Sequence, residues 1–238
     1  MVQHTKKVKN LFYSLIFFLS LSASSYNLEN YSNEYFSGNN EVKESLENIE
    51  GNKWKITSTF DHSIFQVEQE AIFKVSEDNR IILLNAFRKT RAFGGFRREK
   101  QSFEINYDEN LILYEYNRKN GTISFDCNDY EDCTFFDNLT LQLQAKLSSK
   151  SSEIPVELNF NYLDKGQIKT KTFKLENLND LGLKNTDNIK LKFSEVRDDD
   201  KGFELWFDPN KNYLTYKIYQ DFGSQDLTWN LKSKPSEE

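Results

Sequence analysis

Val156-Glu157-Leu158-Asn159-Phe160-Asn161-Tyr162 runs apolar, polar, apolar without a break, and a Lys165-Gly166 turn follows it. Strict alternation sends successive side chains to opposite faces, so this stretch reads as a half-buried strand opening a hairpin. The same period-2 signal extends in both directions. Upstream, Trp54, Ile56 and Phe60 share a parity, as do Phe65, Val67, Ala71, Phe73 and Val75, then Phe103, Ile105 and Tyr107. Downstream come Ile189, Leu191 and Phe193; Phe203, Leu205 and Phe207; Leu214, Tyr216 and Ile218; and Leu227, Trp229 and Leu231. Turn-forming residues separate the runs at Glu77-Asp78-Asn79, Asp108-Glu109-Asn110, Asn120-Gly121, Asp199-Asp200-Lys201-Gly202 and Asp208-Pro209-Asn210.

Strands at roughly ten-residue spacing joined by tight turns describe an antiparallel meander of about a dozen strands. One face of each strand is apolar, and a sheet of that kind must hide it by curling or by packing on a helix. The expected fold is therefore all-β with one helix: a single antiparallel curled sheet forming a barrel or half-barrel. The helix is placed at 138–148, where Leu, Gln, Ala and Lys are good helix formers and Asp137 stands as N-cap. Leu139, Leu141, Leu143, Ala145 and Leu147 also alternate with period 2. A buried helix plugging a curled sheet satisfies both observations.

The N-terminus reads as a signal peptide. Lys6, Lys7 and Lys9 precede a nearly unbroken apolar run from Leu11 to Leu21, and small residues Ser22, Ala23, Ser24 and Ser25 follow. A membrane span needs about 20 apolar residues, which this run does not reach. The expected order is a signal peptide at 1–25, cleaved near Ser25, then a flexible acidic leader at 26–50, an antiparallel β domain at 51–233 and a disordered tail at 234–238. The leader holds six glutamates against one lysine. The product is expected to be periplasmic, with no transmembrane span and no lipid anchor, because no Cys follows the cleavage site. Removing 1–25 takes away three lysines and no acid, lowering the net charge from −6 to −9. Such an acidic protein is not expected to bind nucleic acid, whose affinity comes from neutralised phosphates.

Cys127 and Cys133 bracket a short acidic loop, and in an oxidising compartment a disulfide is the leading reading, with thiolate metal binding as the alternative. His62 is the one histidine beyond the signal segment, flanked by Asp61 and Ser63 on a turn, where triad members do not converge. No catalytic constellation, phosphate-cradling loop, cofactor motif or metal set emerges, so a non-enzymatic role without cofactor is expected. The most unusual stretch runs from Arg88 to Lys100 and places six basic residues around an apolar, glycine-containing tip. One reading inserts Phe93 and Phe96 into a lipid or partner surface while Arg88, Lys89, Arg97 and Arg98 meet anionic groups. The other is a solvated hairpin whose strands are basic.

Five segments carry a family resemblance. Asp164-Lys165-Gly166-Gln167-Ile168-Lys169-Thr170-Lys171-Thr172-Phe173 is similar to a recurring D-K-G-x-I-K-T-x-x-F segment. Val196-Arg197-Asp198-Asp199 and Leu205-Trp206-Phe207-Asp208-Pro209-Asn210-Lys211-Asn212-Tyr213-Leu214 resemble R-x-D and L-W-x-A-P-x-x-x-Y-L-P segments, with Asp208 in place of Ala and Thr215 in place of Pro. Tyr114-Glu115-Tyr116 and Asp137 to Leu143 look like the central region of the same family. It is the domain-of-unknown-function 3108 family of exported proteobacterial proteins, and the likeness spans roughly residues 54–233. The resemblance implies an envelope location and a β domain, and supplies no catalytic residue. Function is thus expected to be a binding module for a lipid or other hydrophobic ligand. The alternative is a structural or interaction protein of the envelope docking on a protein or membrane, with an enzyme third.

Overall fold

The computed structural model describes residues 28–38, 40–62, 65–92, 95–126, 133–151, 154–178, 191–197, 202–209, 211, 214–221 and 226–232. They form a fifteen-stranded sheet around the one α-helix among them. In chain order the strands are β1 (Tyr31–Ser37), β2 (Asn40–Glu50), β3 (Lys53–His62), β4 (Phe65–Val75), β5 (Ile81–Ala92), β6 (Arg97–Asn106), β7 (Leu111–Tyr116), β8 (Lys119–Ser124) and β9 (Phe135–Phe136). Helix α1 (Asn138–Ser151) follows, then β10 (Val156–Asp164), β11 (Gln167–Asn177), β12 (Leu191–Glu195), β13 (Phe203–Asp208), β14 (Leu214–Asp221) and β15 (Asp226–Leu231).

The expected meander holds over two runs, β8 back to β1 and β15 back to β10, joined where β1 pairs with β15. Two corrections apply to the sheet. It is mixed, because β9 pairs in parallel with β10. Those two strands are connected through α1, the kind of crossover that parallel pairing requires. Nor is it a closed barrel: β8 and β9 are the free edges.

Residues 26–50 are not a leader over their described part. Tyr31–Ser37 and Asn40–Glu50 are paired strands, with Leu46 and Tyr35 buried. Their alternation runs Val42, Glu44, Leu46, and the inward glutamate disguised it as a solvated segment. The hairpin between β7 and β8 turns at Asn117 (φ 55°), not at Asn120-Gly121. Gly121 lies within β8 because the Tyr114 ring covers it; a Cβ there would stand 2.7 Å from the Tyr114 hydroxyl. Parity slips once more in β14, where a bulge opposite Trp206/Phe207 buries Thr215 and Ile218 instead of Leu214 and Tyr216.

Helix α1 forms where the sequence places it and explains its double periodicity. Leu139, Leu141, Leu143, Ala145 and Leu147 are all buried, as are Thr140, Gln144 and Lys146 between them. A helix wrapped on every side shows no single apolar stripe. Its N-terminus is capped by Asp137, whose Oδ1 accepts from the Thr140 N–H at 2.9 Å and from the Thr140 hydroxyl at 2.6 Å. Midway along it, Gln144 Oε1 accepts the Ile81 N–H at 2.8 Å. The signal segment and the tail at 234–238 lie outside the described residues.

The open seam is crossed by side chains. Arg88 on β5 meets Asp164 on β10 at 3.3 Å, and Gln101 Oε1 on β6 accepts the Lys165 N–H at 3.1 Å. The Lys165-Gly166 turn (φ 51° and 71°) lies directly on Tyr114 of β7. Farther along, Phe125 after β8 packs edge-on against Phe135 of β9 at 4.9 Å. A Cβ on Gly166 would fall 2.5 Å from a Tyr114 ring carbon, at a left-handed φ. Gly166→Ala is expected to lower stability by about 1–3 kcal/mol in urea unfolding. Combining it with Tyr114→Leu should recover the steric part, giving less than the sum of the single effects.

Candidate functional site

Cross-strand register builds the interior in transverse rows. One row is apolar: Leu46, Ile56, Ala71, Ala86 and Phe103 stand opposite one another across β2 to β6. The next row toward the hairpins on the other side is polar: Asn33, Glu44, Ser58, Gln69, Arg88, Gln101 and Tyr116, one residue from each of β1 to β7. Beyond it lies a mixed row of Tyr35, Val42, Phe60, Val67, Thr90 and Glu99.

Between these rows and the N-terminal turn of α1 is a cavity of about 250 Å³. Phe60, Phe65, Ile218 and Trp229 supply apolar walls, while Glu44, Gln69, Arg88 and Gln142 supply polar atoms. The Phe60 ring meets Trp229 edge-on at 5.9 Å and Phe65 at 5.8 Å, so the walls are braced by aromatic contacts. Cavities that enclose drug-sized ligands run roughly 300–1,000 Å³, so this one suits a small molecule or part of a single chain.

The charged groups around the cavity are held by partners. Glu44 is only 5% exposed and accepts from the Tyr31 hydroxyl at 2.9 Å. Burial pushes the Lys146 ammonium down, opposed by the charge of Glu44. Burial raises the Asp137 carboxyl against its Thr140 hydrogen bonds. Arg88, with 20% of its side chain exposed, bonds Glu99 at 3.1 Å as well as Asp164. Burial pushes the Asp164 carboxyl up, but the Lys169 hydrogen bond and the Arg88 charge outweigh it and hold the group below the usual carboxylate range.

The basic residues singled out in the sequence divide between the two faces. Arg88 points inward to the cavity. Lys89 points outward to Glu68 at 3.1 Å. Phe96, Arg97 and Arg98 stand together at the β5–β6 tip, all exposed. Phe93 and Cys127 lie outside the described residues; Cys133 packs against the core. Among the described residues no group of three or more His, Cys, Asp or Glu side chains is placed to hold a metal ion, and no helix is long and apolar enough to cross a membrane. Sequence reading missed Glu44, Ser58 and Gln69. Their signal was available as gaps: each fills an inward position between two apolar residues of its own strand.

These features define a mixed, curled, barrel-like sheet wrapped on one helix. No family model matches the chain, and no curated protein matches it in sequence. Among solved structures it is similar to a beta-barrel-like protein of domain of unknown function DUF1849 from Brucella abortus. The TM-score is 0.52 and the identity 8%, over 87% of this chain and 97% of that one. At that identity the likeness concerns the fold.

A carboxyl held low in the folded chain adds stability above its unfolded pKa of about 3.9, and loses it as pH falls through the folded value. Arg88→Gln is therefore expected to cost about 1–3 kcal/mol at pH 7. The gap from wild type should narrow as pH falls to about 2, through the lowered folded value of Asp164. Urea unfolding at both pH values checks this; a gap that stays constant would show that Arg88 does not act through Asp164 and Glu99.

Proposed function

We propose that this chain is an exported, non-enzymatic binding module that takes a small hydrophobic or amphipathic ligand into the cavity at the N-terminus of α1. The observation that carries the reading is the pairing of aromatic walls with one inward polar row. In a core built only for packing, an inward Ser58, Gln69 and Glu44 in adjacent strands would be an expense without return. Facing a ligand, they orient its polar end while Phe60, Phe65 and Trp229 cover its apolar part. The apolar run at 11–21 and the resemblance to the domain-of-unknown-function 3108 family support an envelope location. In that oxidising setting Cys127 and Cys133 form a disulfide. Thiol titration of the exported chain under denaturing conditions should find no free thiol before reduction and both cysteines after it.

The ligand reading is tested with N-phenyl-1-naphthylamine, a small apolar fluorophore, after native mass spectrometry of the exported chain. Expected are a co-purifying small-molecule mass and uptake of one fluorophore per chain. Val67→Trp, which fills the cavity, should weaken uptake about tenfold or more with unchanged circular dichroism. An apo mass together with no fluorophore uptake would sink the proposal.

A further inference from the structure

The β5–β6 tip presents an arrangement that the cavity does not use. Phe96 is 97% exposed, far more than any other large apolar side chain described. Arg97 and Arg98 follow it and are exposed. Arg91 stands directly opposite Arg98, and Lys89 opposite Lys100, so like charges face each other across this hairpin. Such juxtapositions are unfavourable in a sheet. Glu68 and Glu115 on the flanking strands neutralise the Lys89–Lys100 pair at 3.1 and 3.0 Å. At the outermost pair the neighbours differ: Arg91 is flanked on β4 by Gln66, and Arg98 donates from Nε to the Gly95 carbonyl at 3.1 Å. Cationic charge thus concentrates at the tip of a chain whose net charge is −6.

Register places this tip at the cavity's end of the sheet. Phe65, a cavity wall, pairs with Ala92, and Ala92 pairs with Arg97. Thr90, another lining residue, is one pair from Arg91 and Arg98. The hairpins β1–β2 and β3–β4 end on the same side, as does the start of α1.

We propose that this tip docks the molecule on an anionic phospholipid surface, with Phe96 entering the interfacial region and Arg91, Arg97 and Arg98 meeting the head groups. A lone aromatic with three cations is far smaller than the roughly 800 Å² per partner of a stable protein interface. It is sufficient for an interfacial anchor, where a buried apolar group and a few cations add up. The acidic remainder of the chain is repelled by the same surface, which leaves the tip as the point of approach. Docking there brings the cavity end to the membrane. The inference rests on the ligand reading only for the purpose of docking, since the experiment is read without any cavity ligand.

The test is co-sedimentation of the purified chain with vesicles of phosphatidylglycerol and phosphatidylcholine, and with phosphatidylcholine alone. Any contribution of residues 1–25 is common to wild type and variants. Expected is binding to the anionic vesicles that weakens as salt rises from 50 to 300 mM. Phe96→Ser should reduce it about tenfold, and each of Arg97→Gln and Arg98→Gln about fivefold. These positions are exposed, so the fold stays intact by circular dichroism and N-phenyl-1-naphthylamine uptake is unchanged. Equal binding to neutral vesicles, or variants that bind as the wild type does, would overturn the proposal. So would absence of vesicle binding, including the case in which a protein is captured at the tip instead.

Discussion

A sheet of fifteen strands with one apolar face cannot stand open in water; each uncovered row of Ile, Leu and Phe would oppose folding. Everything in this molecule follows from how that face is covered. The twist inherent in long sheets curls it on itself, and α1 occupies the space the curl leaves. This is why α1 is buried on most sides and why its apolar residues at 139, 141, 143, 145 and 147 alternate as a strand's would. Gln144 serves the start of β5 and Asp137 serves the first turn of the helix itself.

The helix does not fill the enclosed space evenly. Toward its C-terminal half aromatic rings gather, with Phe160, Phe173 and Phe193 forming a connected cluster and the last two stacked at 4.7 Å, beside a cleft of about 470 Å³ between Leu147, Ser148 and Phe160. Toward its N-terminus the inward residues of β2 to β5 turn polar around the cavity of about 250 Å³. A single molecule thus has a stabilising half and a half in which hydrogen-bonding capacity is held beside aromatic surface. The division runs along sheet register, because a row of the pleat crosses many strands at one height.

Much of this was legible in the sequence. The alternating runs after Trp54 gave the strands, Asp137 and the residues behind it gave the helix, and the requirement to hide one face gave the plugged curl. The polar row was not read, since Ser58 and Gln69 look like interruptions until cross-strand pairing lines them up. Glu44 misled further: an inward acid made β2 look solvated, and its burial is offset by the Tyr31 hydroxyl and by the charge of Lys146. The β7–β8 turn was misplaced for a related reason. An Asn-Gly pair is a strong local turn signal, yet here the glycine answers a tertiary demand, room for Tyr114. The parallel β9–β10 pair, two residues long, has no periodicity from which to be read.

A closed β-barrel has its girth set by strand number and shear, and cannot widen without breaking a ladder of backbone hydrogen bonds. The seam between β8 and β9 carries no such ladder. Among the described residues it is crossed by the Arg88–Asp164 ion pair, the Lys165 N–H bond to Gln101, Tyr114 on Gly166, and Phe135 against Phe125 and Tyr107. The girth of this molecule is therefore set by side-chain packing across the seam, and not by strand number and shear.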